Sequence, residues 1–247
     1  MRSKIGLKLK INYSYNFKIP KRSKNLIKFI ILHYTGMNSE QSALQKLCNP
    51  KSEVSSHYFI KKNGVVFNLV PDLYEAWHAG KSNWKNYKSL NKNSIGIEIC
   101  NPGHKNGYKN FSFSQILSLQ KLLRHLKIKY KIKSNNILGH SDIAPKRKKD
   151  PGEKFPWKLL AKNNLSIWHG LKKDKIVYYR KKKITLEEKS DFLKNLYKIG
   201  YTSFGKNIKI KNKSYLIKAF QRRFRQELID GKMDMECYMI SKSLLKR

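Results

Sequence analysis

The chain has 247 residues, of which 40% are hydrophobic and 12% aromatic, so it is a folded protein and not a disordered basic tail. Its net charge of +38 comes from 54 Lys and Arg against 16 Asp and Glu. This excess either suits a polyanionic partner or reflects the Lys-, Asn- and Ile-rich composition that AT-rich coding produces. Three scattered cysteines, with no C-x-x-C pair, argue against a disulfide framework and against a cysteine-ligated zinc.

Residues 1–24 are predicted to form a basic arm, with eight basic residues and no acidic one. Lys8 and Lys10 interrupt its only apolar stretch, and no cysteine precedes Cys48. The pattern therefore predicts neither a secretory signal nor a lipoprotein anchor, and no apolar run is long enough for a transmembrane segment. We expect a cytoplasmic protein on these grounds, with a non-standard route to the envelope as the alternative.

The next part of the chain alternates predicted strands with predicted helices. In chain order these are a strand at 26–35, a helix at 39–49, a hairpin at 55–70, a strand at 94–100, a helix at 112–130 and a strand at 135–140. Ser39 is a predicted N-cap, and Asn63-Gly64 is a strong hairpin-turn signal. Strands interleaved with helices predict an α/β layer fold of roughly 140 residues.

The composition changes after Trp157. A Lys-rich connector is followed by a capping box, Thr185 and Glu188, which opens a helix that closes on Gly200. Two more amphipathic helices are predicted, at 214–231 and 235–246, which makes a small three-helix bundle. The predicted division is therefore a basic arm at 1–24, an α/β domain at 25–170, a linker at 171–184 and a helical domain at 185–247.

The loop "GHSDIAPKRKKDPG", residues 139–152, places His140, Asp142, Lys148 and Asp150 close together in the chain. Two prolines exclude a continuous helix or a central strand, so the backbone is a stiffened loop. Taken alone, the loop is either a cluster of caps and ion pairs or a functional site. Asp142 is predicted to cap the loop by accepting backbone N–H groups.

A second histidine at the end of another predicted strand makes this loop a candidate metal site. His33 ends one predicted strand and His140 follows another, and together with Asp150 they would leave a tetrahedral zinc with one open position, as catalytic sites do. Glu98, opposite the apolar face of its strand, is the candidate proton shuttle, and Lys148 is the candidate for stabilising an oxyanion. The alternatives are packed histidines, a carboxylate paired with a lysine, and a solvated charge run.

Five stretches of the sequence together resemble the zinc-dependent N-acetylmuramoyl-L-alanine amidases of the type 2 amidase family, which share a fold with peptidoglycan recognition proteins. They are "ILHYT", "VSSHYFIKKNG", "AWHAGKSNW", "SIGIEICN" and "GHSDIAPKRKKDPGEKFPW", between about residues 27 and 160. The resemblance implies a mixed central β-sheet flanked by helices. It also implies one zinc per chain on His33, His140 and Asp150, with Glu98 and Lys148 catalytic.

The same resemblance implies the reaction and the partner. The expected reaction is hydrolysis of the amide bond between N-acetylmuramic acid and L-alanine in peptidoglycan or muropeptides, by a monomeric bacterial cell-wall hydrolase. The motif "AFQRRFR" in the helical domain is similar to a peptidoglycan-binding module of the envelope branch of the family. We therefore expect a protein that ends near residue 184 to cleave small muropeptides but not intact wall.

Several other residues have two readings each. Trp77 and His78 are either substrate contacts in a cleft or core residues, and His57 is a cleft residue or lies behind the ligands. Three arginines, Arg222, Arg223 and Arg225, either contact stem-peptide carboxylates or form the solvated face of a helix. The competing function is a non-catalytic peptidoglycan receptor, which the retained ligands disfavour, and no motif supports specific nucleic-acid binding.

Overall fold

The computed structural model of this chain describes residues 6–7, 9–202 and 213–246. Parts of the predicted arm (1–5 and 8) and of the predicted helical domain (203–212 and 247) therefore lie outside the described residues. The strands are β1 Leu9–Ile11, β2 Phe17–Lys18, β3 Phe29–Tyr34, β4 Tyr58–Ile60, β5 Val66–Asn68, β6 Glu75–Ala76, β7 Asn83–Trp84, β8 Tyr87–Lys88, β9 Ser94–Ile99 and β10 Ile137–Gly139. The α-helices are α1 Glu40–Cys48, α2 Phe113–Tyr130, α3 His140–Ile143, α4 Trp157–Lys162, α5 Lys173–Arg180, α6 Leu186–Ile199, α7 Ser214–Phe224 and α8 Met235–Leu245.

Six strands form a central mixed sheet in the order β1-β5-β4-β9-β3-β10. The pairs β4–β9, β9–β3 and β3–β10 are parallel, whereas β4 and β5 form the predicted antiparallel hairpin. The α/β class, with a mixed sheet flanked by helices, is confirmed. Since β3, β9 and β10 are parallel, their carboxyl ends lie at one edge, where loops carry side chains from all three.

Side-chain alternation along β3 and β9 separates an apolar face from a functional face. Ile95, Ile97 and Ile99 are buried on one face, against the leucines of α2. His33 and Glu98 are register partners on β3 and β9, so both side chains lie on the opposite face. The sequence predicted this orientation of Glu98 correctly.

The helical region covers part of that second face. Phe29 and Ile31 of β3 share one hydrophobic cluster with Phe192 of α6 and Phe220 of α7, and all four are at most 1% exposed. The Thr185–Glu188 capping box is present, with the Glu188 N–H donating to Thr185 Oγ1 at 3.2 Å. The helices therefore pack on the sheet through a common core, which the proposed domain boundary would cut.

Two segments are more ordered than their composition suggested. In the predicted arm, β1 joins the edge of the sheet beside β5, and the buried Arg22 donates to the backbone oxygens of Asn91 and Asp72 at 2.7 and 2.8 Å. In the predicted linker, α5 forms an eight-residue helix. A basic composition does not prevent either segment from making backbone hydrogen bonds. No helix within the described part of the chain is long and apolar enough to cross a membrane.

Candidate active site

Three buried side chains of the predicted metal site converge at the edge of the sheet. His33 lies near the end of β3, His140 opens α3 directly after β10, and Asp150 closes the following loop. His33 Nδ1 lies 2.9 Å from His140 Nδ1, and each of these nitrogens lies 3.1 Å from Asp150 Oδ2. The Ser141 N–H donates to the Asp150 carbonyl oxygen at 2.8 Å, which ties the end of the loop to its beginning.

The hydrogen bonds of His140 determine which of its ring nitrogens can bind a metal. Its Nε2 lies 3.1 Å from the Ala79 carbonyl oxygen, which only accepts hydrogen bonds, so Nε2 carries a proton, and in the neutral ring Nδ1 then has the lone pair. That lone pair is directed toward His33 Nδ1 and the Asp150 carboxylate. Acceptor atoms this close repel one another unless a cation lies between them, so the donor set fits a metal ion.

The pKa values of the site are consistent with this. Burial, together with the neighbouring His140, lowers the pKa of His33 to about 4. Burial alone would raise the pKa of Asp150, but the two imidazoles bring it well below its usual value. The neutral imidazole and the ionised carboxylate are the forms that bind a metal.

A cavity of about 530 Å³ opens beside these side chains. Of the residues predicted for the site, it is lined by Glu98, Lys148, His140, Asp150, Trp77 and His78. Exposed cations at its mouth include Lys46, Lys105 and Lys149. The cavity is large enough for a ligand the size of a sugar–peptide.

Glu98 has the properties of a group that exchanges protons. Burial raises the pKa of its carboxyl group well above the usual value, and the nearby Asp150 raises it further. Its Oε2 is buried and, among the described residues, accepts no hydrogen bond. A buried polar atom without a partner usually marks a place where water or a ligand binds.

Lys148 is half-buried and lines the same cavity. Its backbone N–H donates to the Ala144 carbonyl oxygen at 3.0 Å, which holds the loop. Within the part of the chain that the structure describes, the Lys148 ammonium group forms no ion pair. It is therefore available to a ligand in the cavity, whereas the neighbouring Arg147 donates to the Lys81 carbonyl oxygen at 2.7 Å.

The residues predicted as substrate contacts separate into two groups. Trp77 and His78 are half-buried and line the cavity, as predicted for cleft residues. His57 does not line the cavity: it is fully buried behind His78, with ring centroids 5.6 Å apart, so a substrate contact by His57 is wrong. Its Nδ1 accepts the Gly96 N–H at 2.9 Å and its Nε2 lies 3.0 Å from the Tyr74 carbonyl oxygen, so the backbone holds it in place.

Asp142 does more than the predicted capping of its loop. Its Oδ2 accepts the Gly139 N–H at 2.8 Å, which confirms the cap. It also accepts Arg223 Nη1 at 2.5 Å, and its Oδ1 accepts the Tyr201 hydroxyl at 2.6 Å. The solvated-face reading of the arginines was wrong, since Arg222, Arg223 and Arg225 are all at most 9% exposed.

His104 also lines the cavity, although the sequence did not indicate it. Its Nδ1 lies 2.9 Å from the Tyr34 hydroxyl and its Nε2 lies 3.1 Å from Glu153 Oε2, at the wall of the cavity. His104 belongs to a Gly- and Asn-rich loop with no periodic pattern, so nothing in the sequence distinguished it from a surface residue.

Comparison with known proteins gives consistent matches. Residues 22–153 match a family model described as N-acetylmuramoyl-L-alanine amidase. The N-acetylmuramoyl-L-alanine amidase AmiD of Escherichia coli K12 is 33% identical over 233 residues, which cover 90% of this chain and 83% of AmiD. The 1,6-anhydro-N-acetylmuramyl-L-alanine amidase AmpD of Haemophilus influenzae is 34% identical over 149 residues, covering 53% of this chain and 79% of AmpD.

Two solved structures extend the similarity to nearly the whole chain. Escherichia coli AmiD, in complex with the substrate anhydro-N-acetylmuramic acid-L-Ala-D-gamma-Glu-L-Lys, matches with a TM-score of 0.78 and 30% identity, covering 93% of this chain and 92% of AmiD. AmpDh3 of Pseudomonas aeruginosa, in complex with anhydromuramic pentapeptide, matches with a TM-score of 0.79 and 29% identity, covering 95% of this chain and 98% of the relative.

Proposed function

Because the chain belongs to the N-acetylmuramoyl-L-alanine amidase family, we propose that it hydrolyses the amide bond between N-acetylmuramic acid and L-alanine with one zinc ion held by His33, His140 and Asp150. The observation that carries the zinc assignment is the convergence of two imidazole Nδ1 atoms and one carboxylate oxygen within 3.1 Å of one another. Two imidazoles and one carboxylate are a common catalytic zinc set, because they leave a coordination position open.

Zinc bound there would polarise the scissile carbonyl group and make a water molecule more acidic. The chain's own residues supply the proton transfers. Glu98 Oε2 accepts the proton from the attacking water, and the protonated carboxyl then donates it to the departing L-alanine nitrogen. Burial raises the pKa of Glu98, and a carboxylate of raised pKa is a stronger base toward water once it is ionised.

Lys148 is proposed to stabilise the charge that develops on the carbonyl oxygen. Attack on an amide carbon turns this oxygen into an oxyanion, and an ammonium group directed at it lowers the barrier. The half-buried position of Lys148 supports the assignment, because a partly dehydrated cation interacts more strongly with an anion than a solvated one does.

We propose a muropeptide as the ligand of the cavity. AmiD and AmpDh3, which match over most of their length, have each been solved with an anhydromuramyl peptide. Trp77 offers an aromatic surface to a sugar ring or a peptide stem. The exposed lysines at the mouth suit the carboxylates of a stem peptide.

The helical domain at 185–247 is proposed to add affinity for polymeric wall, as the resemblance implies. Its described residues include no group that lines the cavity of the candidate site. A role in binding is thus compatible with its position, whereas a direct role in the chemistry has no candidate residue.

The zinc assignment is tested by metal analysis of the purified protein. We expect about one zinc per chain, and strong loss of zinc in His140→Ala and Asp150→Ala, because each removes one of only three protein ligands. His125→Ala, on the outer helix α2, is the matched control and should retain its zinc. Full zinc content in both ligand variants would contradict the assignment.

A further inference from the structure

A line of hydrogen bonds leads from His33 away from the candidate metal site to a backbone carbonyl group. His33 Nε2 lies 3.1 Å from His78 Nδ1. His78 Nε2 lies 3.2 Å from Ser94 Oγ, which in turn lies 2.6 Å from the Leu90 carbonyl oxygen. These contacts link a candidate ligand to a fixed point of the backbone through two side chains that do not belong to the candidate ligand group.

The donor and acceptor of each hydrogen bond can be assigned by starting from the Leu90 carbonyl group. The Leu90 oxygen can only accept, so the Ser94 hydroxyl donates to it and accepts from His78 Nε2–H. A neutral His78 that donates from Nε2 must accept at Nδ1, so His33 Nε2 carries a proton. The lone pair of His33 is thereby placed on Nδ1, the atom that lies 3.1 Å from Asp150.

We propose that His78 and Ser94 are positioning residues that set the tautomer and the ring orientation of His33 for zinc binding. The inference rests on the proposed function, since it concerns the same metal. It assigns to His78 a role independent of any contact with substrate. Hydrogen-bond partners of ligating histidines typically contribute a factor of ~10–100 in metal affinity.

The packing around His78 supports this role. A Cβ atom on Gly96 would lie 2.4 Å from His78 Cγ, so this strand position accommodates the ring only because it is glycine. The rings of His33 and His57 meet His78 nearly at right angles, at interplanar angles of 80° and 73°. The ring of His78 is thus held on three sides.

The arrangement also explains the polar face of β9. Ser94, Gly96 and Glu98 alternate along this face, opposite the three isoleucines. Ser94 anchors His78, Gly96 leaves space for its ring, and Glu98 lines the cavity. One strand face therefore positions both the proton shuttle and, through His78, one candidate ligand.

The test measures zinc affinity without substrate, by competition with a chromogenic chelator. His78→Phe keeps an aromatic ring but removes both hydrogen bonds, and should weaken zinc binding ~10–100-fold. His78→Asn places an amide oxygen near the position of Nδ1 and should restore part of the affinity. Ser94→Ala, which touches neither the cavity nor the metal, should weaken binding by a smaller factor.

Two controls separate this role from a general loss of structure. The metal-free thermal midpoint of each variant should stay near that of wild type, and His125→Phe should bind zinc normally. If His78→Phe fails to fold, Ser94→Ala decides, because it removes a single oxygen atom. Cobalt in place of zinc gives a visible absorption spectrum that should change in His78→Phe at saturating metal.

Wild-type zinc affinity in both His78→Phe and Ser94→Ala would overturn the inference. Normal affinity in Ser94→Ala alone would remove Ser94 from the assignment. A wild-type protein that binds no zinc would instead overturn the proposed function, so the two failures are distinguishable.

Discussion

Glu98 concentrates the chemistry of the proposed reaction in one side chain. It is fixed on the functional face of β9, and its Oε2 is buried and has no hydrogen-bond partner in the described structure. A carboxyl group in this environment is held in a state that it would not prefer in water. Such groups occur where proton transfer is needed, and they are costly elsewhere.

The first prediction concerns turnover of Glu98→Gln. The amide keeps the size and shape of the carboxyl group but cannot shuttle a proton, so muropeptide cleavage should fall ~10²–10⁴-fold. Zinc content should not change, since Glu98 is not a ligand. Turnover within a few-fold of wild type would contradict the proton-shuttle role and would favour the alternative, in which Glu98 only forms an ion pair with a lysine.

The second prediction concerns the stability of the same variant in the metal-free protein. The unfolded carboxyl group ionises near pH 4.5, whereas the folded one stays protonated to a much higher pH. Between these two values, the unfolded state releases a proton that the native state keeps, so the wild type loses stability as pH rises. Glu98→Gln does not titrate, so its thermal midpoint relative to wild type should rise from pH 4.5 to pH 7. A relative midpoint that falls over this range would support the ion-pair reading instead.

At the scale of elements, the strands and helices could be predicted from the sequence more completely than the contacts of the loops. The predicted hairpin, the strands at 26–35 and 94–100 and the helix at 112–130 are present, because their hydrophobic periodicity and caps are local signals. The candidate ligands could be predicted because His33 lies near the end of β3, His140 directly follows β10, and the loop that ends at Asp150 matches a known motif. The solvated-face reading of the arginines failed because burial of Arg223 depends on Asp142, 81 positions away.

The third prediction concerns the ion pair between Arg223 and Asp142, which acts as a clamp on the loop between His140 and Asp150. Arg223 and Asp142 are only 2% and 1% exposed, so Arg223→Met would leave a buried carboxylate without its cationic partner. Unfolding free energy should fall by about 3–5 kcal/mol, and zinc should bind more weakly because the loop carries two ligands. Denaturant unfolding and chelator competition measure the two effects.

Arg124→Met is the matched control for this prediction, since Arg124 is an exposed arginine on α2. Its unfolding free energy should stay within about 0.5 kcal/mol of wild type. Equal, small effects of the two substitutions would show that the clamp does not hold the loop.

At the scale of the whole molecule, the helical region shares a hydrophobic core with the α/β domain, although the sequence predicted a separate domain after it. Phe192 and Phe220 are fully buried in one cluster with Phe29 and Ile31 of β3. The domain boundary drawn from composition could not reveal this, because a change in residue usage says nothing about which surfaces pack together.

The fourth prediction follows from this shared core and reverses the expectation drawn from the sequence. A protein ending at residue 184 would expose Phe29 and Ile31. It would also lose the hydrogen bonds that Arg223 and Tyr201 donate to Asp142. Burial of each aromatic or aliphatic side chain contributes about 1.5–3 kcal/mol to the free energy of unfolding. The loss of several such contributions exceeds the total stability of a typical domain. Activity on small muropeptides and on sacculi should therefore fall together, with a lower thermal midpoint. Retained cleavage of small muropeptides alone would show that the α/β part is independent.

The central claim is that this chain is a metal-dependent amidase that cuts between N-acetylmuramic acid and L-alanine. The most direct test is to incubate the purified protein with a defined muropeptide, with and without a chelator, and to identify the products by mass. We expect a free stem peptide that begins with L-alanine and a muramic acid without its peptide, loss of both products with chelator, and their recovery when zinc is restored. Cleavage at another bond, or cleavage that persists after complete removal of the metal, would contradict it.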